Sequence, residues 1–195
     1  MSLSLTAQTT AVLFMDFQHG IVARIPEQAD ALLQRARTAL DAARAAGAFV
    51  GYVRVGFRPG YPEVSERNLG FAALRGSGFA LLGNPDTQVV DALTPLESEP
   101  VVVKHRVGAF SGTELEILLR ARKIDTLVLF GISTSGVILS TVRHAADHDY
   151  RIVVASDGCA DFDPEVHRVL MEKVFPRQAT VTTTSEIVGV LQGAA

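Results

Sequence analysis

An aspartate at the end of one apolar run and a lysine at the end of another are the residues of this chain best placed for acid–base chemistry. Asp16 comes shortly after Thr10-Ala11-Val12-Leu13-Phe14, and Lys104 follows Val101-Val102-Val103. An ammonium group taken out of water at such a position needs an anion to offset its lost hydration, and Asp16 is the natural partner. Lys104 stands out because the chain has only three lysines, and Lys123 and Lys173 fall in or near helical patterns. Such a pair either fastens two strand ends together or works on a substrate, and the residue types alone leave both readings open.

A third feature is the stretch 131–141, Gly-Ile-Ser-Thr-Ser-Gly-Val-Ile-Leu-Ser-Thr, which follows an apolar strand pattern and opens a helical one. An α/β enzyme usually keeps its nucleophile at such a turn. Ser133 and Thr134 could donate hydrogen bonds to a ligand, but a serine needs a base to become nucleophilic, and no Ser-His-Asp order suggests itself. Ser135 reads as a helix N-cap. The lone cysteine, Cys159, lies after the fifth strand and reads as a buried structural thiol.

These residues need elements to bring them together. Residues 10–14 and 126–130 are apolar with little polar alternation, as strands covered on both faces are, and 49–55, 101–103, 151–155 and 179–182 supply further strands. Leu32, Leu33, Ala36, Leu40 and Ala43 recur at helical spacing within 27–46, and Gly47 stops that helix. Asn84-Pro85-Asp86 predicts an N-cap and a short helix through Val89, Val90 and Leu93. Ser111-Gly112-Thr113-Glu114 has the form of a capping box before a helix running to Lys123. Further helices are predicted over 135–147, over 163–175 behind an Asp163-Pro164 cap, and over 185–191.

Strands alternating with helices require right-handed crossovers. The fold class is therefore α/β: a doubly wound, open parallel sheet of five to six strands with helices on both faces, in a single domain over 1–195. Ligands bind such sheets beyond the carboxyl ends of the strands. That rule alone selects Asp16, Arg54, Lys104, the 131–136 turn and Asp157.

The 195 residues, 48% hydrophobic, suffice for one large core, and a net charge of -3 with scattered basic residues gives no footprint for nucleic acid. No apolar run is long enough to span a bilayer, and the first five residues lack the pattern of a signal peptide. One cysteine agrees with a reducing compartment. These features predict a soluble cytoplasmic protein whose partner is a small molecule, without nucleic acid or membrane.

Asp16-Phe17-Gln18, Lys104, Gly131-Ile132-Ser133-Thr134 with Thr141 beyond it, and Ala155-Ser156-Asp157-Gly158-Cys159 occur in a definite order on successive elements. Over roughly 10–184 the set resembles the isochorismatase-like (cysteine hydrolase) superfamily. The resemblance implies a Rossmann-like three-layer fold, hydrolase activity, and often a homodimer or homotetramer. In the amidase members a cysteine six residues after the glycine is the nucleophile, the aspartate its base, and turn N–H groups bind the oxyanion. This chain has Val137 there, which cannot accept an acyl group. Isochorismatases proper also lack the cysteine, being expected to carry glycine, and their aspartate is understood to act as general acid on a vinyl ether that water then hydrolyses. Asp16 could do this, although Lys104 beside it is expected to lower its pKa and keep it ionised.

The resemblance thus makes Asp16 and Lys104 the catalytic candidates, with Val137 at the cysteine position. Phe17, Gln18, Arg54, Phe57, Arg58, Ile132, Ser133, Thr134 and Gly136 are the expected substrate-binding residues. No cofactor is implied. The nicotinamidase branch holds a metal with histidines after the second strand, where this chain has Arg54-Val55-Gly56-Phe57-Arg58. His144 and His148 are four apart but read as the polar face of a helix end.

The long segment 56–83 is rich in Gly, Pro and Arg and reads as a lid or binding loop. Its arginines and aromatics either receive a small carboxylic acid or form a solvated loop packed on the sheet or a second subunit. Two functions follow: a hydrolase acting on a small carboxylate-bearing molecule through Asp16 and Lys104 without a covalent intermediate, or a binding or regulatory protein that has kept the pocket and lost the chemistry.

Overall fold

The computed structural model describes residues 3–193. Residues 1, 2, 194 and 195, included in the expected domain span, lie outside the described residues. The strands are β1 (Thr10–Met15), β2 (Phe49–Val55), β3 (Val101–Lys104), β4 (Thr126–Ile132), β5 (Arg151–Ala160) and β6 (Thr180–Thr182). The α-helices are α1 (His19–Val22), α2 (Pro26–Ala45), α3 (Leu69–Ala72), α4 (Leu115–Ala121), α5 (Leu139–Asp147), α6 (Pro164–Val169) and α7 (Thr184–Leu191). All six strands pair in parallel in the order β3-β2-β1-β4-β5-β6, the doubly wound sheet that the alternation of elements predicts.

The period of the strands decides which side chains go to which layer. Along β1, Val12 and Phe14 enter one apolar cluster with Leu32, Ala36 and Leu40 of α2 and Ile187 of α7. Ala11, Leu13 and Met15 enter the other, with Leu115 and Leu119 of α4 and Val142 of α5. Both faces are covered, so β1 and β4 are buried at every position, which is why their sequences show little alternation.

The chain winds one way from β1 to β2 and β3 and the other way through β4, β5 and β6. The switch point therefore lies between β1 and β4, where the carboxyl ends of the strands leave a crevice. Asp16 and the 131–137 turn flank that position. Gly131 pairs with Met15, and a Cβ on Gly131 would lie 2.6 Å from the Met15 carbonyl oxygen, so close approach of the two strand ends requires glycine.

Several local expectations are corrected. The helix expected after Asn84 is replaced by two 3-10 turns, Pro85–Thr87 and Asp91–Leu93, and the Asn84 side chain caps neither. Tertiary hydrogen bonds take the segment instead: His19 N–H donates to the Gln88 carbonyl and Val90 N–H to the Phe17 carbonyl. The capping box at 111–114 does not form: the helix begins at Leu115, with Glu114 at the N-cap position and no side-chain cap. Strand β5 runs to Ala160 rather than 155, its register with β4 shifting between Leu129 and Gly131. The expected single helix over 163–175 is α6 followed by a π-turn (Leu170–Val174) and a 3-10 turn (Phe175–Arg177). Its Asp163 cap forms as read, accepting from Glu165 and Val166 N–H.

Candidate active site

Asp16 ends β1 with φ of 58°, in the left-handed region, where aspartate is one of the few side chains tolerated. Its own N–H is spent on the Val53 carbonyl at 2.8 Å, holding that conformation. The carboxylate meets the Lys104 ammonium at 2.9 Å, and the two side chains are 6% and 3% exposed respectively. Oδ2 is the oxygen that Lys104 contacts; Oδ1 is buried with no hydrogen-bond partner in the protein. Lys104 also donates to the Arg106 carbonyl at 3.1 Å, which leaves one of its three N–H donors for a ligand.

The electrostatics reverse one expectation. Burial pushes the Asp16 carboxyl above its ordinary value, and the opposing charge and hydrogen bond of Lys104 do not overcome it. A carboxyl poised this way can carry a proton into the crevice.

Beyond β4 the chain enters a π-turn (Thr134–Ile138) that leads into α5, with a cis peptide between Ile132 and Ser133. The N-cap is Ser133, not Ser135. Gly136 and Ile138 N–H donate to the Ser133 carbonyl, and Ser135 N–H donates to the Asp161 carboxylate at 2.6 Å. A Cβ on Gly136 would stand 2.7 Å from Ser133 Oγ. Thr134 is fully buried, its hydroxyl 2.8 Å from His167 Nδ1. Val137 is 2% exposed and belongs to the apolar cluster with Met15, Ala109 and Ile138. Thr141 ties α5 to the loop after β3, accepting from Ala109 N–H at 3.3 Å.

Residues 10–186 match the family model for the isochorismatase domain. The chain belongs to the isochorismatase family. It is 36% identical over 191 residues to an uncharacterized isochorismatase family protein of Escherichia coli, covering 97% of this chain and 100% of that protein. It is 27% identical over 180 residues to a maleamate amidohydrolase of Pseudomonas putida, covering 90% of this chain and 84% of that one. In fold it superposes on a cysteine hydrolase from Pseudomonas syringae pv. phaseolicola with a TM-score of 0.90, at 24% identity and over 99% of this chain and 97% of the other.

Within this isochorismatase-family fold, the other expected residues sort by their partners. Phe17 and Ile132 are core residues of the α2 side, 1% exposed each. Gln18 is a clamp: its amide donates to the Val55 and Thr87 carbonyls at 2.8 and 3.1 Å and accepts from Val55 N–H, so neither amide hydrogen is left for a ligand. Arg54 donates to the Thr87 carbonyl and the Gln88 side chain. Phe57 is fully buried among Tyr61, Phe71 and His105. Arg58 is 68% exposed and pairs with Glu63 of its own segment. Asp157, selected by topology, accepts from Thr184 N–H and hydroxyl at 2.7 Å each, which fixes the start of α7.

Cys159 is buried, burial pushes its thiol up to about 12, and it reads as the structural thiol expected. The rings of His144 and His148 stack at 4.1 Å, with Phe110 on the other face of His144 at 4.4 Å. No helix among the described residues is long and apolar enough to cross a membrane.

Two residues at this site escaped the sequence reading, Asp161 and His167. Nothing in their spacing points to the turn. Both lie 26 to 33 positions from their partners, and only the bulged β5 carries them there.

Proposed function

We propose that this chain is a hydrolase in which Asp16 protonates a small substrate and water completes the reaction, with no covalent enzyme intermediate. The observation that carries the reading is the Asp16 carboxyl itself: buried, raised above its ordinary value, paired with Lys104 through Oδ2 and with Oδ1 unpartnered. A general acid works best when its pKa approaches working pH, and burial shifts Asp16 upward, in favour of its protonated form. Val137 supplies no nucleophile, and the N–H of Ser135 is committed to Asp161, so one donor an oxyanion would need is engaged. Both features favour direct hydrolysis over an acyl-enzyme.

The substrate class is a small carboxylate-bearing vinyl ether. Proton transfer from Asp16 to the terminal vinyl carbon leaves an oxocarbenium ion, water adds to it and returns a proton to the Asp16 carboxylate, and the hemiketal collapses to a ketone and an alcohol as its hydroxyl proton passes to the departing oxygen. The remaining Lys104 N–H donor would face the substrate carboxylate, and Arg54, whose Nε is buried without a partner, is a second donor at the strand ends. Ser133 would line the opposite wall, with the buried Thr134 behind it held by His167. We place the reaction in a single-domain, cytoplasmic protein that forms a homodimer or homotetramer, and the exposed Phe162, Val166 and Val169 around α6 supply apolar surface for such contacts.

A second reading, a binding or regulatory protein, draws on Val137, whose burial in the apolar cluster fills the position of the nucleophile. A panel of vinyl ethers, amides and carbamates, run with Asp16→Asn beside the native protein, separates the two. Turnover of a vinyl ether that Asp16→Asn lowers by about 10³-fold supports the hydrolase. Tight binding of panel members without any turnover supports the second reading.

A further inference from the structure

His167 lies outside the acid–base pair and outside β4, yet its imidazole is the hydrogen-bond partner of a fully buried side chain of the turn. Thr134 Oγ1 and His167 Nδ1 are 2.8 Å apart, and Thr134 is 0% exposed, so its hydroxyl has no access to bulk water. Beside it, Asp161 accepts from Ser135 N–H at 2.6 Å and from Asp163 N–H at 3.3 Å. Asp161, between β5 and α6, and His167, on α6, therefore grip the turn at two consecutive residues, once by a carboxylate and once by an imidazole. The far side of His167 opens on a cavity of about 360 Å³ between α2 and β5, through which solvent reaches the ring.

We infer that His167 is a positioning residue for the 134–138 turn: neutral, it accepts the Thr134 hydroxyl hydrogen at Nδ1, and protonation at Nδ1 takes that acceptor away and loosens the turn. The inference extends the function proposed above, because the turn forms one wall of the same crevice, but its test needs no substrate. A protonated ring has two N–H donors and no acceptor, so the Thr134 hydroxyl hydrogen loses its partner in a fully buried position.

The groups around the ring bear on when this happens. Glu27 and Arg35 of α2 and Asp157 and Cys159 of β5 line the same cavity as the ring, and Asp161 before α6 acts on it electrostatically. Burial lowers the His167 pKa below 6.5, against the Ser156 carbonyl and Asp161, which favour the charged form. The neutral ring is thus the form present at pH 7, and loosening is expected on acidification.

Hydrogen exchange of the peptide covering 131–141, followed by mass spectrometry from pH 7.5 down to the lowest pH at which the protein stays folded and corrected for the intrinsic rate, tests this. In the native protein protection should fall about tenfold across the His167 titration, the loss of one buried hydrogen bond. His167→Asn places an amide oxygen near the Nδ1 position and should keep the pH 7.5 protection while abolishing its pH dependence. Thr134→Val should also flatten the dependence, with a lower starting value. If the pH dependence persists in His167→Asn, or if the native protein shows none, the positioning role is overturned. If the vinyl ether is turned over, the acid limb of kcat should vanish in His167→Asn while the Asp16-dependent alkaline limb stays. Failure of the hydrolase reading would remove turnover and leave the exchange result intact.

Discussion

Two regions of this molecule are rich in residues that suggest chemistry, and their polar groups have opposite fates. In 56–83 most polar side chains find partners within the segment: Arg58 pairs with Glu63, Arg75 with Glu66 and the Val64 carbonyl, and Tyr61 donates to the Phe79 carbonyl at 2.8 Å. At the strand ends the residues are few, but one buried carboxylate oxygen has no partner and the adjacent ammonium keeps a donor in reserve. Richness in functional residue types therefore marks a segment that folds on itself, while incomplete satisfaction of a desolvated pair marks the crevice. A buried polar atom without a partner is uncommon and calls for a reason, and a ligand is the reason this position supplies.

The comparison can be broken at either region. The largest effect is expected from Asp16→Asn, which should remove about 10³-fold of any vinyl ether turnover in steady-state assays. In the native protein the reactive form is the protonated acid. Because the folded pKa is raised, that form persists to higher pH than for an ordinary aspartate, and kcat should fall as pH rises through it.

Lys104→Met leaves the Asp16 carboxylate buried without its counter-ion and should destabilise the fold by about 3–5 kcal/mol in denaturant titrations at neutral pH. The sign of its pH dependence follows from linkage. Removing Lys104 raises the folded pKa of Asp16 further, so stability relative to the native protein should recover on acidification and be lost as pH rises through that pKa.

Gly131→Ala forces a Cβ to 2.6 Å from the Met15 carbonyl and should cost about 1–3 kcal/mol by parting the ends of β1 and β4. Least of all should follow from Glu66→Ala in the self-satisfied segment. Glu66 is 86% exposed in its pair with Arg75, and the change should stay within about 0.5 kcal/mol in the same titrations and leave turnover unaltered. A large loss of activity there would erase the contrast between the regions.

How much of this was legible beforehand depended on the range of the forces involved. The apolar runs of β1 and β4 and the spacing of Leu32, Ala36 and Leu40 are set by burial, and they read correctly because burial leaves a local pattern. Topology then pointed to Asp16 and Lys104 without further help. What failed was what depends on distant partners. The segment after Asn84 carries a helix-start signal, but its Thr87 carbonyl is taken by both Gln18 and Arg54, more than thirty positions away. Gln18 has the right neighbours for a pocket residue, yet its amide is consumed by backbone. Proximity to Lys104, which lowers the Asp16 pKa, is visible in the topology, whereas the depth of burial that raises it is not. His167 and Asp161 gave no signal, since the bulge in β5 that carries them to the turn has none in the sequence.

The most direct test of the central claim is a carboxyl carbon NMR titration of Asp16 in the native protein, assigned with Asp16→Asn. Proton uptake with a midpoint above 3.8 is the result this account requires, since burial outweighs Lys104. A midpoint below 3.8 would make Asp16 a permanently ionised structural partner of Lys104 and would contradict its role as the acid.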